Sequence, residues 1–152
     1  MQRSDEYYMK AALKEAALAL KADEVPIGCV LVDENGIIIA KAHNEKEEKN
    51  DVSAHAEILC IKKAGKKLKN WRLNNYTLYI TLEPCLMCSS AIIQARIKRV
   101  VFGAKEPNTG SFGSHNDICE LEATNIEVTY GVLEEECRLI LQNFFKKHRN
   151  KK

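Results

Sequence analysis

Two short stretches of the chain, His55-Ala56-Glu57 and Pro84-Cys85-Leu86-Met87-Cys88, together offer one imidazole, two thiols and one carboxylate. His55, Cys85 and Cys88 are metal ligands by type. Structural zinc usually takes four protein ligands, whereas catalytic zinc keeps three and leaves a position for water. A count of three therefore points to catalysis. Glu57 is not needed to hold the ion, and a carboxylate beside a metal-bound water is a natural proton acceptor. The competing reading is a folding clip with an incidental acid. No cysteine or histidine beside the motifs supplies a fourth ligand for such a clip, although His43 is a conceivable one.

The motifs need a particular backbone. Residues two apart on an ideal helix point about 200° away from each other. His55 and Glu57 can face one metal only if they occupy the irregular first turn of a helix. Free backbone N–H groups at a helix start also favour thiolates at Cys85 and Cys88. The flanking pattern provides such starts. Helices are expected over Asp5 to Lys21, Ala54 to Lys67, Pro84 to about Ala95, and Leu133 to about Arg149. In the first, Met9, Leu13, Ala16, Ala17 and Leu20 form one apolar face, with Ser4 or Asp5 as the cap. Pro84 suits a first helical turn, where its missing N–H is harmless. Strands are expected at Ile27 to Asp33 and Ile37 to His43, joined as a hairpin by Glu34-Asn35-Gly36. Further strands are expected at Tyr76 to Leu82, Lys98 to Gly103 and Ile126 to Tyr130. Asn44 to Asp51 and Glu106 to His115 read as loops. Strands linked through helices favour parallel neighbours in a three-layer α/β/α sandwich.

A chain of 152 residues is most simply one domain, residues 1–152. Hydrophobic residues at 45% and charged residues at 29% give a globular balance, so disorder is not expected. Apolar runs such as Cys29-Val30-Leu31-Val32 are too short to cross a bilayer, and Met1 to Glu6 has no signal-peptide pattern. A cytoplasmic protein is expected. In that reducing compartment Cys29, Cys60, Cys119 and Cys137 read as small packed side chains rather than disulfides. The net charge of +2 is unevenly spread. Lys146, Lys147, Arg149, Lys151 and Lys152 sit in the last seven residues, leaving 18 basic and 21 acidic side chains in the rest. Such a tail fits phosphate contact or simple solubility.

The pattern H-x-E followed by P-C-x-x-C is the signature of zinc-dependent nucleobase deaminases. More of the chain resembles bacterial tRNA-specific adenosine deaminases, within the cytidine deaminase-like superfamily. The resemblance is carried by Glu24-Val25-Pro26-Ile27-Gly28, Ala42-His43-Asn44, Ala54 to Ile58 and Thr81 to Cys88. It continues through Arg99 to Ala104, Thr109-Gly110 and Phe144-Phe145. It implies a five-stranded mixed sheet, one zinc ion per subunit and a homodimer, with the helix around Ser89 to Ala95 as a candidate interface. It also implies hydrolytic conversion of the wobble adenosine of a tRNA anticodon to inosine, with arginine tRNA as substrate. Glu57 would take a proton from the attacking water and pass one to N1 as C6 loses ammonia. Ile27, Asn44 and the backbone at Ala56 would line the base pocket. Phe144, Phe145 and Arg149 would approach the anticodon stem-loop. An unpaired loop base suits this chemistry, because extrusion costs least where pairing is absent.

Three stretches depart from the family pattern. Cys29 stands where alanine is common, Lys105-Glu106-Pro107-Asn108 replaces an Arg-Asp-x-Lys type, and the span from Asp117 to Ile126 is short. Two alternatives stand beside the main reading. One is a small-molecule enzyme such as guanine deaminase with the same centre. The other is a non-catalytic, zinc-stabilised RNA-binding module, which the presence of Glu57 disfavours.

Overall fold

The computed structural model describes residues 3–122 and 124–149. Lys151 and Lys152 of the basic tail lie outside the described residues. Five strands form one sheet in the order β2-β1-β3-β4-β5. They are β1 (Gly28–Val32), β2 (Ile38–His43), β3 (Thr77–Leu82), β4 (Arg99–Ala104) and β5 (Glu127–Tyr130). β1 pairs antiparallel with both β2 and β3, whereas β3–β4 and β4–β5 are parallel. The sheet is therefore mixed, as expected.

Alternation along the strands makes two cores, because successive side chains point to opposite faces. On one face Cys29, Leu31, Leu78, Ile80, Val100 and Phe102 pack against α3 (Ala56–Leu68) and α4 (Leu86–Gln94). On the other, Val30, Val32, Tyr79 and Val101 pack against α1 (Asp5–Lys21) and Cys137 of α6 (Glu134–Arg149). Each fully buried Val, Leu or Ile contributes about 1.5–3 kcal/mol.

α1 is capped by Ser4, whose hydroxyl accepts from the Tyr7 N–H at 3.1 Å. Its buried face is Tyr8, Met9, Ala12, Ala16 and Ala19, while Leu20 is 40% exposed. The expected face is thus rotated toward the alanines. Gly28 supplies the reason. A Cβ there would collide with the Ala12 carbonyl and the Ala16 nitrogen, so helix and strand approach backbone to backbone.

Two four-residue helices go beyond the expected elements: α2 (Lys46–Lys49) inside the Asn44–Asp51 stretch that reads as a loop, and α5 (Ile118–Leu121) in a span where no element is expected. Pro84 also lies two residues ahead of the helix it is expected to open, because Cys85 is the N-cap of α4 and Leu86 its first helical residue. Proline there fixes the approach to the helix rather than its first turn.

The amino end of α1 is tied to the sheet by polar contacts. Asp5 accepts two hydrogen bonds from the Arg99 guanidinium, at 2.9 and 2.8 Å, and one from the Tyr79 hydroxyl at 2.8 Å. The Tyr8 hydroxyl donates to the Gly36 carbonyl at 2.6 Å, at the tip of the β1–β2 hairpin. Hydrogen bonding from Arg99 holds the Asp5 carboxyl below its ordinary range. A depressed carboxyl stabilises the fold above its unfolded pKa, and that contribution disappears as pH falls through the folded value. Asp5→Asn is therefore expected to lower the denaturant midpoint at neutral pH. The gap from the wild-type chain should close below about pH 4.

Candidate active site

The carboxyl ends of β2 and β3 lie at the same rim of the sheet as the start of β1, since Gly28 pairs with His43 and donates to the Thr81 hydroxyl. Chain leaving β2 and β3 at this rim enters α3 and α4. His55 is the N-cap of α3, with φ −77° and ψ 152°, and Cys85 the N-cap of α4, with φ −74° and ψ 175°. Both motifs thus occupy helix starts, where extended backbone gives way to the first turn. That change of direction lets His55 and Glu57 face the same space.

The donor atoms of His55, Cys85 and Cys88 all lie within 4.8 Å of one another. The His55 Nδ1 is 3.8 Å from the Cys85 Sγ and 3.4 Å from the Cys88 Sγ. A tetrahedral zinc with ordinary Zn–S and Zn–N bonds requires sulfur–nitrogen edges of about 3.6 Å, so the residues fit the ion. The donor chemistry agrees. A hydrogen bond from Cys88, with His55 beside it, holds the Cys85 thiol down at about 4. The same bond, together with burial, pushes Cys88 up, while the hydrogen bond with Cys85 raises His55. These groups share protons that a divalent cation would replace.

Glu57 is 4% exposed on the first turn of α3, and burial pushes its carboxyl up to about 7. His43 is not among the three donors. Its ring contacts Glu15 at 3.1 Å through Nδ1 and Glu45 at 3.9 Å through Nε2. Asn44, next along, is 5% exposed, and its N–H donates to the Ile27 carbonyl at 3.1 Å. Ala56 is buried between His55 and Glu57. Ile27, Asn44 and Ala56 therefore share the rim with the three donors.

Further out, α6 and the end of β4 border a groove of about 900 Å³. Lys105, Glu106, Arg138, Phe145, Lys146 and Arg149 line it, and none of the three donors does. Phe145 is half-exposed, whereas Phe144 is buried with its ring 4.0 Å from that of His148. The structure thus separates the two phenylalanines. Phe144 also borders a second groove with Phe145, Glu24 and Glu47.

Two buried acids carry no role in the sequence reading. Glu24 is 1% exposed and accepts from the Glu47 and Glu48 N–H groups at 3.0 and 2.7 Å. Glu83 is 2% exposed and gathers donors from the loop after β4. The available signal was an acid standing just ahead of a proline, in Glu24-Val25-Pro26 and Glu83-Pro84.

A three-layer sandwich with a histidine, two cysteines and a buried glutamate at paired helix starts is the arrangement of a nucleobase deaminase of the zinc-dependent class. The comparisons are more particular. The chain belongs to the MafB19-like deaminase family, which matches residues 3–149. A tRNA-specific adenosine deaminase of Bacillus subtilis (strain 168) is 51% identical over 150 residues, covering 97% of this chain and 92% of the relative. Its counterpart from Haemophilus influenzae is 45% identical, over 97% of this chain and 87% of that protein. A solved structure from a study of A-to-I editing by tRNA:A34 deaminases superposes with a TM-score of 0.81 at 42% identity. It covers 89% of this chain and 99% of that one. The guanine deaminase of Nitrosomonas europaea superposes with a TM-score of 0.83 at 25% identity, over 95% of this chain and 85% of its own.

Cobalt(II) added to metal-free chain is expected to give thiolate charge-transfer absorption that saturates at one equivalent. Cys88→Ala should lose most of that absorption, because the one imidazole and one thiolate that remain hold the ion too weakly to fill the site.

Proposed function

We propose that the chain is a tRNA adenosine deaminase, which hydrolyses the wobble adenosine of an anticodon to inosine and releases ammonia. The observation that supports this most strongly is the 51% identity to a tRNA-specific adenosine deaminase over 97% of the chain. His55, Cys85 and Cys88 would hold one zinc ion, which supplies Lewis acidity and lowers the pKa of water beside it. Glu57 acts as the proton carrier. It accepts the proton that water gives up on adding to C6 and delivers a proton to N1. Its burial keeps solvent from competing for that proton. Asn44 and Ile27, joined through their backbones, orient the purine, and the Ala56 backbone closes the pocket beside Glu57. Phe145 and Arg149 offer a stacking face and a phosphate partner along the groove. Phe144 supports Phe145 from beneath, with their ring centres 5.4 Å apart.

The whole chain serves as one catalytic domain. No described helix is long and apolar enough to cross a membrane, and a tRNA substrate places the enzyme in the cytoplasm. A homodimer is part of the same reading. Leu86 and Met87, 49% and 41% exposed on the first turn of α4, provide apolar surface for a second copy.

Guanine deaminase is the second reading, since that fold superposes as well. The higher identity to the tRNA enzymes favours an RNA substrate. Incubation with unmodified arginine tRNA bearing a wobble adenosine, in parallel with free guanine, separates the two. Inosine at the wobble position with guanine untouched is expected; guanine consumption with intact tRNA would reverse the assignment. In the same assay Glu57→Ala should retain its zinc and lose turnover by at least ~10²-fold, the lower range for a proton-transfer group. A zinc-free Glu57→Ala chain would make the carboxylate a ligand instead.

A further inference from the structure

Glu83 lies between the end of β3 and Pro84, two residues ahead of Cys85. Its carboxylate is buried and surrounded by donors from one loop. Oε1 accepts from the Glu106 N–H at 3.0 Å and from the Ser114 hydroxyl. Oε2 accepts from the Phe112 N–H at 2.9 Å and the Ser114 N–H at 3.2 Å. Gly110 makes room for this, because a Cβ there would collide with the Glu83 carboxylate carbon. The backbone joins the same two segments. The Ser111 N–H donates to the Pro84 carbonyl at 2.9 Å, and Gly110 forms a bridge with Cys85.

One side chain therefore spans two places. It borders the turn that presents Cys85, and it fixes Glu106, which lines the groove between β4 and α6. We propose that Glu83 is a positioning residue that sets the substrate groove against the metal-binding turn through its bond to the Glu106 N–H. The inference rests on the reading of this chain as a tRNA deaminase. Glu83 faces loop donors and has no part in proton transfer.

The geometry predicts a specific lesion for the isosteric Glu83→Gln. A glutamine keeps one acceptor oxygen and turns the other into an NH₂. With the NH₂ at the Oε2 position, two backbone donors would face another donor. With the NH₂ at Oε1, only the Glu106 N–H does, since the Ser114 hydroxyl can rotate and accept. The second orientation costs less, and it releases Glu106 alone.

The test compares wild-type and Glu83→Gln chains, each loaded with zinc, on an arginine anticodon stem-loop. KM is expected to rise about 10-fold, the effect of losing one charge-assisted hydrogen bond. kcat should stay within about twofold, because the proton carrier is untouched. NMR-detected hydrogen exchange should find the Glu106 amide protected in the wild-type chain and fast in the variant. The Phe112 and Ser114 amides should stay protected in both. An unchanged KM, or a fall in kcat at constant KM, would overturn the proposal. So would a Glu106 amide that already exchanges freely in the wild-type chain, a result that needs no folded variant. Absence of inosine with the wild-type enzyme would strike the functional reading instead, and the exchange comparison would still report on Glu83.

Discussion

The arrangement depends on two helices beginning at the same place. α3 and α4 leave the same rim of the sheet, and each is capped by a donor, His55 in one and Cys85 in the other. At a helix start the first N–H groups lack intrahelical acceptors and carry partial positive charge. Two such starts side by side favour the sulfur anion at Cys85 before any cation arrives. They also solve a problem of direction, since a regular helix would turn His55 and Glu57 to different sides. Parallel pairing of β3 and β4 is part of this constraint, because it brings the Ala104–Glu106 corner to the rim that holds Cys85.

Around that point the walls are held mainly by buried carboxylates binding backbone N–H groups. Glu24 takes two amides at the start of α2, on the segment that leads from Asn44 toward His55. Glu83 does the same for the loop after β4. Each acid sits close to the chain reversal it supports, so the loops gain shape without a large apolar core of their own. Backbone N–H donors suit this task, since an anionic acceptor satisfies several at once.

Much of this was legible in the sequence for concrete reasons. The H-x-E and C-x-x-C spacings identified the donors, and short apolar runs such as Cys29 to Val32 marked the central strands. The hairpin was signalled by Asn35-Gly36 between them. What escaped was set by tertiary contact. Lys46–Lys49 and Ile118–Leu121 are single turns, too short for any periodicity to show. The face of α1 was misjudged because Leu20 is more hydrophobic than Ala12 or Ala19, yet only small residues fit against Gly28. Nothing in the spacing of Glu83 and Glu106 announces that one binds the other's amide 23 residues away. Phe144 and Phe145 are alike in type, and only the packing of α6 distinguishes the buried ring from the open one.

The far rim of the sheet has a different character. There Asp5 joins Arg99 and Tyr79, and Tyr8 reaches the hairpin tip at Gly36. These bonds tie the start of the first helix to β3, to β4 and to the turn between β1 and β2, at the end away from His55, Cys85 and Cys88. The two ends of the sheet are thus secured by different means: side chains of the first helix and of the strands at this one, and backbone amides gathered on Glu24 and Glu83 at the other. A change at Asp5 therefore loosens the seat of the first helix and leaves the turns that present His55 and Cys85 supported.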